Sequence, residues 1–214
     1  MFTGLVQSVG RIVSVQPLSE ARDAGVRIEV DAQGLAPRPI ALGDSIAVSG
    51  VCLTVVDLRG GIFAADVSRE TLSKTAGLDA PGAVNLETAL ALGDKLGGHL
   101  MAGHVDGVGE IARMAPAGES TELAVRIPAD LAIYMAPKGS VAVNGVSLTI
   151  NRVTDRVSDR MTDPDGGCEI SINLIPHTIA ATTFALLAPG ARVNIEADLL
   201  ARSVVRARDC DPIR

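Results

Sequence analysis

Aromatic side chains are nearly absent from this sequence: it has no tryptophan, one tyrosine and three phenylalanines in 214 residues. The platforms on which successive bases stack are therefore missing, which argues against a single-stranded nucleic acid as partner. Positive charge is scarce as well. Lys and Arg total 19 against 25 Asp and Glu, a net charge of −6, and no basic tract offers phosphate-neutralising contacts. Although 47% of the residues are hydrophobic, no uninterrupted apolar run approaches the roughly 18 residues that a membrane helix needs. The start, MFTGLVQSVGR, has no basic stretch ahead of an apolar one, so no secretory leader is expected. Three scattered cysteines, Cys52, Cys168 and Cys210, suit neither a disulfide framework nor an oxidising compartment. The expectation is a soluble cytoplasmic protein that binds neither nucleic acid nor membrane and acts on something small.

What the chain does have is a repeat. Ser45 to Val55 reads SIAVSGVCLTV and Ser140 to Ile150 reads SVAVNGVSLTI, identical at seven of eleven positions. Gly4, Val6, Val9, Gly10 and Ile12 align with Gly103, Val105, Val108, Gly109 and Ile111. Further on, Glu70-Thr71 aligns with His177-Thr178, Pro81-Gly82 with Pro189-Gly190, and Val84 to Glu87 with Val193 to Glu196. A period of about 100 residues is too long for a solenoid or propeller blade and is the size of a small domain. The halves are two similar domains with two similar pockets.

Short Val- and Ile-rich runs dominate both halves: Gly10–Val15, Val26–Val30, Ser45–Val56, Ile62–Val67 and Val84–Leu86, then Glu110–Arg113, Glu122–Ile127, Ser140–Val153, Cys168–Leu174 and Ala191–Ile195. Turn formers separate them, a pattern of all-β barrels or sandwiches. Short helices are expected at Ser68–Thr75, Asp130–Tyr134 and Thr178–Leu187, and a C-terminal helix at Leu199–Arg208. The domains are read as 1–97 and 98–197, with a helix and tail for oligomerisation over 198–214. Asn151–Gly167 reads as an extended hairpin loop without assigned function.

In order along the chain stand M-F-T-G-L-V, G-V-C-L-T-V, S-R-E-T-L, G-G-H-L-M-A-G-H-V, V-N-G-V-S-L-T, I-P-H-T and V-N-I-E. Together these motifs resemble riboflavin synthase of the alpha-chain, lumazine-binding family. The resemblance implies an all-β fold of two tandem six-stranded Greek-key barrels and a short C-terminal helix. It implies a homotrimer with each site between barrels of neighbouring subunits, and adds lumazine synthase as a candidate partner. The implied reaction converts two molecules of 6,7-dimethyl-8-ribityllumazine into riboflavin and 5-amino-6-(D-ribitylamino)uracil, without cofactor or metal. A non-catalytic lumazine or flavin carrier on the same duplicated barrel is the rival reading.

Carried over residue by residue, the resemblance implies one binding set per barrel. The first holds Gly4, Leu5, Val6, Ser45, Cys52, Leu53, Thr54, and then Asp66, Val67, Ser68, Arg69, Glu70 and Thr71. The second holds Gly103, His104, Val105, Lys138, Ser147, Leu148, Thr149, and then Asn173, Leu174, Ile175, Pro176, His177 and Thr178. Catalytic parts are assigned to Cys52, His104, Ser45 and Phe2.

The residues support this unevenly. Cys52, opposite Ser147, is either a polar or nucleophilic group beside the acceptor ring or a small buried strand residue; the motif favours the first. His104 stands where the first repeat has Leu5, and an imidazole there can take and return a proton. Thr54 and Thr149 suit hydrogen bonding to a pteridine and also suit strands, and their equivalence in the repeats favours binding. Lys138 is balanced between a ligand contact and a solvated turn. Ser68 and Asn173 are also candidate helix caps. His99 and His104 do not complete a metal-ligand set, and His99 is expected to close a turn after Gly97-Gly98. Gly103 to Gly109 only superficially resembles a dinucleotide loop, because strand-like residues follow it.

Overall fold

The computed structural model of the chain describes residues 1–21, 23–32, 34–35, 39–156 and 166–209. The first repeat forms β1 (Ser8–Pro17), β2 (Val26–Asp31), β3 (Ser45–Val48), β4 (Val51–Arg59), β5 (Ile62–Val67), helix α1 (Arg69–Lys74) and β6 (Gly82–Thr88). Its strands close into a six-stranded antiparallel barrel in the order β1-β2-β5-β4-β3-β6. Alternation drives the closure: Val51, Leu53 and Val55 of β4 point into a core with Ile12, Ile28, Val30, Phe63 and Leu86. Cys52, Thr54 and Val56 consequently point out.

The second repeat forms β7 (Gly107–Ala117), β8 (Ser120–Ile127), α2 (Ala129–Ala132), β9 (Ser140–Val143), β10 (Val146–Thr149), β11 (Arg152–Arg156), β12 (Gly167–Leu174), α3 (Pro176–Ala181), a 3-10 turn (Thr183–Leu186) and β13 (Arg192–Ala197). Helix α4 (Leu199–Asp209) follows. The sheet order is β10-β9-β13-β7-β8-β12-β11, which is the first barrel's order with β4 cut in two. Between the halves, Ile150 N–H donates to Gly139 O at 3.0 Å and Asn151 N–H to Ser171 O at 2.7 Å. One residue is thus tied to each side, and the sheet curls until its two end strands are consecutive pieces of chain. Even the bulge in β1 between Ile12 and Ser14 recurs in β7 between Ile111 and Arg113.

Two sequence expectations change here. The runs Ser45–Val56 and Ser140–Val153 are not single strands but hairpins. Ser49 and Gly50 have φ of 45° and 87°, and Asn144 and Gly145 have 48° and 77°. Two consecutive positive φ values are the two-residue turn whose twist matches paired strands. The start of the expected 151–167 loop is strand β11, paired with β12; residues 157–165 lie outside the described part.

The barrels meet through these hairpin tips and through the segments preceding β1 and β7. Phe2 and Met101 exchange backbone hydrogen bonds of 2.8 and 3.1 Å. Both side chains are buried with Ala47 and Ala142 in a small core of their own.

Candidate functional site

The segments before β1 and β7 cross between barrels, and this decides which site residues are neighbours. Ser147 N–H donates to Gly4 O at 2.9 Å, and Cys52 N–H donates to Gly103 O at 2.8 Å. Val6 packs against the second core and Val105 against the first. Only glycine fits at either crossing: φ is 75° at Gly4 and 77° at Gly103. A Cβ on Gly4 would lie 2.5 Å from Ser147 Cβ, and one on Gly103 would lie 2.7 Å from Cys52 Cβ.

The expected grouping of one set per barrel is therefore corrected. Gly103, His104 and Val105 belong beside Cys52 and Thr54, while Gly4, Leu5 and Val6 belong beside Ser147 and Thr149. The reason is tertiary: each crossing segment is anchored by its own barrel yet lies on the other. The anchors are two buried glutamates, Glu87 and Glu196, whose motif by itself assigns them no role. Glu87 Oε1 accepts from Thr3 N–H and Oγ1, both at 2.7 Å, and Oε2 accepts from Gly4 N–H at 3.0 Å. Glu196 accepts from Ala102 N–H at 2.7 Å and Gly103 N–H at 3.0 Å. Burial pushes both carboxyls above the usual range, against the hydrogen bonds that pull them down. The repeated Val-Asn-aliphatic-Glu sequence was the available signal.

On the outer face of the first barrel, Thr54 pairs across from Ser45, and Asp66 sits on β5 opposite Arg27 of β2. Arg27 grips Asp66 with two hydrogen bonds of 2.7 and 2.9 Å, which hold this carboxyl below its usual range. At the equivalent place in the second barrel, Asn173 pairs with Glu122. Glu122 accepts from Ser171 Oγ at 2.9 Å and lies 3.1 Å from Arg113; Ser171 and Arg113 lower its pKa. The two faces thus share a frame but not a charge pattern.

The helix ends also differ. Ser68 caps α1, its Oγ accepting from Thr71 N–H at 3.0 Å, while Arg69 and Glu70 are exposed on its first turn. Asn173 caps nothing; it is an exposed residue of β12. Ile175 is the N-cap of α3, with Pro176 in its first turn and His177 exposed behind it. Lys138 has a φ of 67° where the first repeat has Gly43 at 86°, and its Nζ donates to Asn151 Oδ1 at 3.4 Å.

Not every expected residue presents its side chain. Leu53 (5% exposed), Val67 and Leu174 are core, as is Phe2 at 0%; Leu148 packs against the second core. Only the backbone of these strand residues lies at the face, and Phe2 acts by packing between the barrels. Leu5 is 51% exposed, and His104, Thr54, Asp66 and Thr149 are exposed too. A cleft of 340 Å³ runs along Leu5, Val6 and Lys95, and one of 520 Å³ opens beside Ser45 and Leu90. Neither is lined by Cys52 or Ser147, both of which are half-buried.

Known proteins match this chain in sequence and in fold. The model of the lumazine binding domain matches residues 3–89 and again 102–198. A riboflavin synthase from Photobacterium phosphoreum is 40% identical over 208 residues, 96% of this chain and 88% of that protein. One from Mycobacterium bovis is 41% identical over 212 residues, covering 96% and 97%. Among solved structures, LumP complexed with riboflavin superposes with a TM-score of 0.73 at 25% identity, over 92% of this chain and 99% of that one. With both barrels matched and full-length relatives at this identity, the chain belongs to the lumazine-binding domain family.

Proposed function

We propose that the protein catalyses the riboflavin synthase reaction: two molecules of 6,7-dimethyl-8-ribityllumazine become riboflavin and 5-amino-6-(D-ribitylamino)uracil by transfer of a four-carbon unit. The observation that carries this reading is paired retention with local divergence. Both barrels keep the same outward face, while Cys52 stands at the repeat position of Ser147 and Leu5 at that of His104. A dismutation binds two identical molecules and treats them unequally, which is what such a pair of faces offers. The relatives named riboflavin synthase and the riboflavin bound by LumP support the ligand class.

Two heterocycles must be held face to face, a methyl proton must leave the donor, and a nucleophile must add to the acceptor. Holding both reactants in place can supply about 7–11 kcal/mol of the barrier. The pteridine carries its own electron sink, so the protein orients rings and moves protons. The crossing of Gly103–Val105 brings His104 to the strand that carries Cys52, uniting the proton carrier and the thiol on one face. Asp66, Ser68 and Thr71 line that face, and Ser147, Thr149, Lys138 and His177 line the other.

Each open face is completed by a neighbouring subunit, in a homotrimer whose contacts include the exposed Leu199, Leu200 and Val204 of α4. The unit boundaries near residues 97 and 197, a cytoplasmic location and lumazine synthase as partner belong to the same reading. No described helix is long and apolar enough to cross a membrane.

The test is to give the purified protein only 6,7-dimethyl-8-ribityllumazine and follow riboflavin by absorbance. Riboflavin formation is the expected result. Tight binding without product would replace the enzyme with a carrier.

A further inference from the structure

Ser147 has a partner that Cys52 lacks. Its Oγ lies 2.6 Å from Nδ1 of His99, whereas among the described residues no hydrogen bond reaches the Cys52 thiol. The backbone fixes this contact. His99 N–H donates to Thr3 O at 3.2 Å. A Cβ on Gly98 would collide with that same carbonyl and lie 2.9 Å from Ser147 Cβ. The chain passes this close to Ser147 only because residue 98 is glycine. His99 does not merely close a turn, as its sequence context suggested.

The imidazole's state follows from its surroundings. Burial holds His99 below the ordinary histidine range, and the opposing pull of Asp198 is smaller; the ring is neutral at pH 7. Nε2 is buried with no hydrogen-bond partner among the described residues. A neutral imidazole has one N–H. Placed on Nε2, that proton would be an orphaned buried donor, the rarer and costlier kind of unsatisfied group. Placed on Nδ1, it is used, and Nε2 keeps only a bare lone pair.

We infer that His99 is a positioning residue for the second face: its Nδ1–H donates to Ser147 Oγ, so that the Ser147 hydroxyl proton is left to point outward at the ligand. The second face then offers a fixed donor to a hydrogen-bond acceptor, a pteridine ring nitrogen or carbonyl oxygen. Cys52, a weak donor with no such clamp, offers none. The two faces thereby differ in hydrogen-bond polarity and not only in atom type. The inference rests on the proposed function for its ligand, but the tautomer of His99 does not.

Two measurements test it. In the native protein, long-range proton–nitrogen NMR of the His99 ring should show Nδ1 protonated at pH 7; an Nε2-protonated ring overturns the inference without any substitution. In the second, lumazine affinity is compared among native protein, His99→Ala, Ser147→Ala, the double variant and His99→Asn, whose amide nitrogen can replace Nδ1–H. Each alanine should weaken binding about tenfold, the loss of one neutral hydrogen bond. The double variant should be no worse than Ser147→Ala, and His99→Asn should recover to within about threefold of native. Additive losses, or an asparagine as poor as alanine in a protein of unchanged melting temperature, overturn it. If native protein binds no lumazine at all, the functional reading fails, while the NMR result still decides the tautomer.

Discussion

Asn85 and Asn194 are counterparts, and each reaches out of its own barrel into the other. Asn85 Nδ2–H donates to Asn144 O at 2.9 Å while its Oδ1 accepts from Thr183 N–H at 2.8 Å. Asn194 Nδ2–H donates to Ser49 O at 3.0 Å while its Oδ1 accepts from Ala76 N–H at 2.7 Å. Both side chains are 1% exposed. Each amide therefore satisfies the backbone of the opposite repeat, tying its own strand to both the hairpin tip and the helical corner of the other half. Asn194→Ala would strand the Ser49 carbonyl and the Ala76 amide, at a cost of about 3 kcal/mol. Urea unfolding measures it, and a loss below about 1 kcal/mol would show that water takes over these bonds.

The hairpin tips themselves are as demanding. A Cβ on Gly145 would stand 2.6 Å from Gly50 N, at a residue whose φ is 77°. Gly145→Ala must strain the turn and push the barrels apart, so a loss of at least about 2 kcal/mol is expected. The same substitution at Gly43, whose φ is 86° but which has open space around its Cβ site, carries only the backbone cost. The difference between the two variants' melting temperatures isolates the contact; equal shifts would mean that the tips are not in contact.

Lys138 keeps a left-handed backbone that the first repeat gives to glycine. Lys138→Gly is expected to hold or raise stability, by up to about 1 kcal/mol. If the lysine is retained for the ligand, the same variant binds 6,7-dimethyl-8-ribityllumazine more weakly. A thermal melt and a fluorescence titration on one sample give both answers. Unchanged affinity would reduce Lys138 to a solvated turn residue.

Cys52→Ser makes the first face resemble the second, and His104→Ala removes the imidazole beside it. His104→Ala should lower turnover by about 10²-fold, the low end of what a positioned proton carrier supplies. Cys52→Ser should lower turnover more than it lowers lumazine affinity. Steady-state rates and binding titrations separate the two effects. Turnover untouched in both variants would reassign the chemistry to other groups on these faces.

Glu87 and Glu196 give a pH dependence of defined sign. Burial raises both pKa values in the folded chain, so the folded state holds their protons more tightly than the unfolded state. The stability they contribute is complete below the ordinary glutamate value of about 4.3 and is lost as pH rises through their raised values. Relative to the Glu87→Gln, Glu196→Gln double variant, the native protein should lose unfolding free energy between pH 4 and pH 7. Urea titrations of both proteins at several pH values check this, and a native advantage that grows with pH would reverse the assignment.

Much of this molecule is legible in its sequence, because duplication repeats each local signal. Strand β5 is found at the expected bounds, the glutamates recur because both repeats carry the same motif, and the bulges recur as a shared interruption of the apolar–polar alternation. The hairpin tips were missed although one carried a signal: Asn144-Gly145 is a strong short-range hairpin dipeptide, and the run of valines around it hid it. The second barrel's broken strand was not legible, since nothing in Ile150-Asn151 says that one amide will turn to each side.

For the site, residue order alone specifies the parts: two polar outward faces, a thiol and a hydroxyl at equivalent repeat positions, and an imidazole at the repeat position of a leucine. Side-chain alternation is a local property, so residue order suffices to specify it. The pairing of these parts comes from the fold. Gly103-His104 lies on the barrel of Cys52, Gly4-Leu5 on that of Ser147, and His99 on Ser147 itself, contacts that span 48 to 143 residues of chain. Such pairings are set by which backbone amides the buried glutamates hold and where a glycine lets two chains touch, and neither is written in the spacing of the motifs.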